Sequence, residues 1–303
     1  MPTWLETLWQ YPLLLPLGMK LLVGIALFVL ARVSYGWFAG VDSTRELSER
    51  DNVAFGISLA GGILALAVAL SGIFHLPSQA SLTADLVWTT GLGLAALILI
   101  RVSRRWYDRW GLHQINKREQ ILDGNLSMAM VDGAVGIAIS LVLKGMLQWL
   151  GTLSLAAVPL MAFNFFIAIG LLVTLTRILE YRYRRHNQGG SLQQALGQDH
   201  RPVALRHCGY LLACGLVIQT AGWLQPYDPS RPLITMAAWF FWALLGLLLL
   251  TLLSILLRTL VLAHVRVDRE VEMQNNGGIA ALDGALAFAV AYLICELVTD
   301  LSL

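Results

Sequence analysis

The chain has 303 residues, 57% of them hydrophobic and only 13% charged. A soluble domain carries about 25% charged residues, so an ordinary water-soluble fold is excluded, in keeping with a mean hydropathy of +0.67. The net charge is only +2, and the basic stretches are short, flank apolar runs and contain comparable acid, which gives no ground for a nucleic-acid partner.

Met1 to Tyr11 has no basic n-region, and no small-residue cleavage site follows the first apolar run, so that run reads as a retained span rather than a signal peptide. Trp4, Leu5, Leu8 and Trp9 are expected to lie flat on the outer interface, where Trp is favoured. A helix needs about 20 mostly apolar residues to cross the hydrocarbon core. Eight runs qualify: 13–37, 52–76, 82–100, 124–150, 153–176, 203–224, 233–257 and 276–299. They lack the two-residue alternation of strands, and lipid offers no water to backbone groups, so all eight are predicted helices. Of the 21 Lys and Arg residues, all but Lys20, Lys144 and Arg231 fall just after an odd-numbered run or on the way into the next even one. The positive-inside rule then places the odd-to-even loops in the cytoplasm and both termini outside.

Those loops share a spacing. Arg45-Glu46 precedes Asn52, Arg118-Glu119 precedes Asn125, and Arg269-Glu270 precedes Asn276. A decayed copy has Gln194-Ala195 and Arg201 at the equivalent places. Seven residues beyond each Asn, or beyond Arg201, stand Leu59, Asp132, Cys208 and Asp283, each followed by Ala or Gly. A self-similarity of about 75 residues means one supersecondary unit copied several times. The expected fold is therefore an all-α integral membrane protein with eight transmembrane helices. They form four parallel two-helix repeats, with a pseudo-twofold relation between halves 1–151 and 152–303. Small residues at four-residue spacing, such as Ala54, Ser58 and Gly62, suit close packing of the even helices. The odd helices would then face lipid.

Within the motif, Arg reads as a phosphate anchor, Glu as its ionic partner and Asn as an interhelical hydrogen bonder. Asp132 and Asp283 lie about 10 Å deeper than their asparagines. An intramembrane acid is a candidate functional residue. Two readings stand: the pair meets near the twofold axis to share a proton or hold a cation, or each accepts bonds from neighbouring polar groups. Lys20 either snorkels outward or reaches towards an Asp. Cys208, Cys214 and Cys295 fit neither a disulfide framework nor a zinc site and read as small core residues. Gly91-x-Gly93-x-x-Ala96 imitates a dinucleotide fingerprint but has no preceding strand. No catalytic, cofactor-binding or metal-ligating set is apparent, and no enzyme is expected.

The hairpin with Arg-Glu-x5-Asn followed by small residues resembles the bacterial domain of unknown function 350 family, whose small members include the YjfL-like proteins. The resemblance covers nearly the whole chain as four hairpin copies and rests on spacing alone in the third. It implies a helical inner-membrane protein in an envelope-stress or membrane-remodelling setting, through association with phage-shock-protein-A-like proteins. The leading expectation is a non-enzymatic scaffold or recruitment platform; the alternative is an ion, proton or small-solute channel or transporter using Asp132 and Asp283. Expected partners are the bilayer with its anionic lipids and a soluble cytoplasmic protein, with room for a second copy of the chain and none for nucleic acid.

Overall fold

The computed structural model describes residues 14–77, 81–151 and 158–301. Trp4, Leu5, Leu8 and Trp9, together with the first residues of the first and fifth apolar runs, lie outside the described residues. Twelve helices follow in the described chain: α1 Leu14–Ala39, α2 Ser43–Ser48, α3 Val53–Phe74, α4 Leu82–Gly111, α5 Lys117–Leu122, α6 Leu126–Leu150, α7 Val158–His186, α8 Leu192–Gly197, α9 Arg201–Leu224, α10 Pro232–Val261, α11 Val267–Glu272 and α12 Gly277–Leu301. Eight of them are long and apolar enough to cross a membrane. The succession of long helix, six-residue helix and long helix occurs four times.

Three odd spans run further than their apolar residues predict. Instead of stopping near 100, 176 and 257, α4 continues to Gly111, α7 to His186 and α10 to Val261. Hydropathy marks where side chains leave lipid, whereas backbone hydrogen bonding carries a helix on through good helix formers such as Arg. These polar extensions bring Arg104, Tyr107, Asp108 and Arg258 back over the ends of the even helices.

The even helices α3, α6, α9 and α12 pack side by side in one row, and α1, α4, α7 and α10 form a second row against it. Glycine sets the spacing of the first row. Gly61 of α3 lies against Gly133 of α6, and Gly209 of α9 against Gly284 of α12, so close that a Cβ on Gly61 or Gly209 would strike the partner's backbone. Between the halves, a Cβ on Gly215 would sit 2.8 Å from the Ala138 Cα. In lipid no hydrophobic force pulls helices together, so such close van der Waals approach holds the row. Most of α6 and α9 is buried, whereas α10 shows broad Leu and Ile faces outward, among them Leu233, Leu248, Leu252 and Leu260.

A cap precedes each even helix. The side chains of Asn52, Asn125 and Asn276 accept the N–H of Phe55, Met128 and Ile279. His200 occupies the third site with no side-chain cap bond. The residue before each cap has positive φ: Asp51 (47°), Gly124 (87°), Asp199 (57°) and Asn275 (56°). Asp, Asn and Gly are the residues that tolerate this left-handed region. The turn moves the third repeat's register to His200, one residue before Arg201, the equivalent expected from spacing.

Candidate functional site

The polar interior gathers at the end of the bundle that carries the short helices. It has two clusters, one in each half.

Asp132 sits in the first third of α6 and is 1% exposed. Arg104, on the extension of α4, grips it with two nitrogens, its Nε standing 3.2 Å from Oδ1. The ammonium of Lys117, first residue of α5, is 2.6 Å from Asp132 and 2.5 Å from Asp108. Ser58 of α3 donates to Asp132, and the Tyr35 hydroxyl of α1 packs against Ser58. Two cations thus meet two acids. Burial pulls the Lys117 ammonium down to about 8 against the attraction of Asp108, and the neighbouring Arg104 adds to the fall.

Asp283 holds the matching place in α12 and is 2% exposed. Its cations are Arg206 of α9, at 3.1 Å, and Arg258 of α10, at 3.5 Å. Arg206 also binds Asp268 at 2.9 Å and Glu272 at 3.1 Å, and Arg258 binds Asp268 at 3.0 Å. Here two cations face three acids. Burial opposes ionisation of Asp268, but Arg206 and Arg258 outweigh it and hold its carboxyl below the usual range.

Counted from the caps, the clusters are one design with charges exchanged. Ser58 and Arg206 are each six residues past a cap, and Asp132 and Asp283 seven past. Lys117 and Asp268 each stand eight residues before one. Where the first half has a neutral serine and a lysine, the second has an arginine and an aspartate. The total stays near neutral, as burial in a low dielectric requires.

The two acids are not brought together. Helix α9 separates α6 from α12, and the carboxylates share no partner. The expectation of a shared proton or cation at a twofold axis is therefore corrected: each acid has its own cations, so neither needs the other to be buried. Lys20 reaches neither of them. It pairs with Asp85 near the far end of α4 at 2.9 Å.

The motif residues serve the joints. Asn52 Nδ2 donates to the Ile121 and Leu122 carbonyls, and Asn125 Nδ2 to those of Leu196 and Gly197. Each asparagine thus caps its own helix and ties off the short helix of the following repeat. Glu46 and Glu270 accept from Asn52 and Asn276. Glu119 does not take this role. Its turn is one residue shorter, so Gln120 accepts from Asn125 at 2.8 Å while Glu119 is exposed and bonds Asn116. Glu46 pairs with Arg50 of its own short segment rather than with a neighbouring hairpin, and Arg45, Arg118 and Arg269 are exposed.

Sequence reasoning missed Arg104, Lys117, Arg206 and Arg258 as partners of the acids. The available signal was their distance from the caps, hidden because hydropathy left Arg104, Lys117 and Arg258 outside the apolar runs and Arg206 only just inside the sixth. It also missed a junction between the halves: Tyr107, wholly buried, has its hydroxyl 2.5 Å from Thr176 Oγ1 and 3.4 Å from His207 Nε2. The three cysteines are buried and free. Among the described residues no group of three or more His, Cys, Asp or Glu side chains is placed to hold a metal ion.

Fold and clusters together define a multi-pass helical membrane protein whose intramembrane acids are neutralised internally. The family model described as Domain of Unknown Function (DUF350) matches residues 8–147 and again 152–298. The chain belongs to that family and carries its pattern twice, each match spanning two pairs of long helices. No curated protein and no solved structure matches it.

Proposed function

We propose that this protein is a non-enzymatic scaffold of the bacterial inner membrane, with both termini periplasmic and the short helices facing the cytoplasm as a platform for a soluble partner. The observation that carries this reading is the neutralisation of Asp132 and Asp283 by cations of their own, inside a row of helices closed at glycine. Acids that drive transport exchange protons or ions with a polar path; a cleft does reach Asp132, but carboxylates in fixed bidentate or multiple ion pairs are poorly placed for that exchange. The exposed charges of Arg45, Glu119 and Arg269 supply a partner surface instead. Envelope stress or membrane remodelling is the setting that the family's phage-shock-protein-A-like associates suggest.

Reconstitution tests the reading. Proteoliposomes of the full chain should pass protons and monovalent cations no faster than protein-free liposomes, and a purified phage-shock-protein-A-like protein should bind them and lose binding in the Glu119→Lys, Glu270→Lys variant. Flux that Asp132→Asn and Asp283→Asn abolish would overturn the scaffold in favour of a pathway.

A further inference from the structure

Near the first cluster the two rows part. Between α1, α4 and α5 lies a cleft of about 650 Å3, inside the range of about 300–1,000 Å3 typical of ligand sites. Its upper walls are apolar, formed by Leu30 of α1 and Leu94, Leu97 and Ile98 of α4. Its lower rim is cationic. Arg101, Arg105 and Arg118 line it, and none of them forms an ion pair among the described residues, whereas the Arg104 and Lys117 beneath them are already bound to Asp132 and Asp108. Arg101 leans over the Phe38 ring at 4.2 Å and donates to Ser34, with Arg105 behind it at 5.8 Å from the same ring. Three guanidinium groups held around one cleft repel each other unless an anion joins them.

The shape states what that anion is attached to. From Arg105 to Leu94, α4 rises eleven residues, about 16 Å. That is about half of the 30 Å hydrocarbon core, the depth of one leaflet. Charge at the membrane boundary and apolar walls above it complement an amphiphile with an anionic head. The matching cluster of the second half is built differently. There Arg206 and Arg258 face three acids, and the space between α7, α9 and α11 is about 30 Å3.

We propose that the α1–α4 cleft holds one anionic membrane phospholipid, its phosphate bound by Arg101, Arg105 and Arg118 and an acyl chain lying along Leu94, Leu97 and Ile98. The inference rests on the multi-pass fold and not on the platform role, so loss of partner binding with the lipid still bound overturns only the platform.

The full chain can be reconstituted in phosphatidylcholine vesicles containing a trace of phosphatidylglycerol with a photoreactive acyl chain. Crosslinks should map to α1 and α4, saturate at one lipid per chain, and exceed those of photoreactive phosphatidylcholine. Arg101→Gln, Arg105→Gln and Arg118→Gln together should weaken labelling about a hundredfold, given the attraction of each basic group for anionic lipid. Leu97→Trp, which fills the cleft without changing charge, should also lower it. Arg182→Gln with Arg185→Gln, at the same end of the bundle but away from the cleft, should leave it unchanged. Equal labelling by both lipids, or labelling that survives both the arginine and the tryptophan variants, overturns the site. Displacement of the lipid by millimolar inorganic phosphate reassigns the cleft to a soluble anion and overturns the lipid. If the triple variant does not fold, the tryptophan variant and the comparison of the two lipids decide alone.

Discussion

Asp132 and Asp283 occupy matching positions with different charge around them, and their removal should therefore differ. Asp132→Asn leaves Arg104 and Lys117 with Asp108 alone, an excess of positive charge in a buried site. Breaking a buried pair from one side typically costs about 3–5 kcal/mol. Asp283→Asn instead leaves Arg206 and Arg258 balanced by Asp268 and Glu272, so its thermal stability in detergent should fall far less. The Asp132→Asn deficit should also depend on pH. Folded Lys117 titrates near 8, below the roughly 10.4 of an unfolded lysine. Without the Asp132 charge it falls lower still, so just below 8 the wild type holds a proton that the variant has shed, and the deficit shrinks as pH rises through that window. Melting of Asp132→Asn at pH 7 and at pH 9 should show the deficit narrowing at the higher value; equal deficits would mean that positive charge is not its cause.

At the scale of the element, the even row depends on backbone contact. Gly133→Val places branched carbons against Gly61 and the Ile57 carbonyl, where overpacking costs about 1–3 kcal/mol. Gly170→Val on α7 has nothing within 4 Å and should be neutral. Thermal unfolding of the two variants checks this, and equal melting temperatures would mean that glycine contact does not hold the row. The short helices are joints rather than independent units: six residues are too few to be stable alone. The Asn52 and Asn125 bonds fix α5 and α8, and the ion pairs of Asp268 and Glu272 with Arg206 and Arg258 fix α11. The asparagine spacing was legible in the sequence as Arg-Glu-x5-Asn. The substitution of Gln120 for Glu119 was not, because one residue less in a turn is invisible to residue identity.

For the whole molecule, one family model matches twice and a residue of positive φ stands before the cap at four sites. The third site has the same turn at Asp199-His200 without Arg, Glu or Asn of the motif, because the backbone geometry needs only a residue that tolerates positive φ. Orientation can be read at Gly189, which has φ of 92° and no neighbour to a Cβ within 4 Å, so an insertion there should leave the fold intact. A reporter inserted at Gly189 should read cytoplasmic. Insertion beside Asn187 is less suitable, since its side chain donates to Glu272 at 2.5 Å. A periplasmic reading would invert the proposed orientation while leaving the bundle unchanged.

Sequence by itself determined the all-helical spans, the recurrence of the loop motif and the depth of the two acids. Each of these is local: hydrophobic length, residue spacing and rise per residue suffice to read them. Tertiary structure alone decided that Asp132 and Asp283 stand apart with separate cations, that Lys20 belongs to Asp85, and that a cleft opens between α1, α4 and α5. Those facts depend on which helix lies beside which and how far each odd helix runs past its apolar end. Interactions between residues far apart in the chain, such as Tyr35 with Asp132 or Tyr107 with His207, leave no periodic trace in a single sequence.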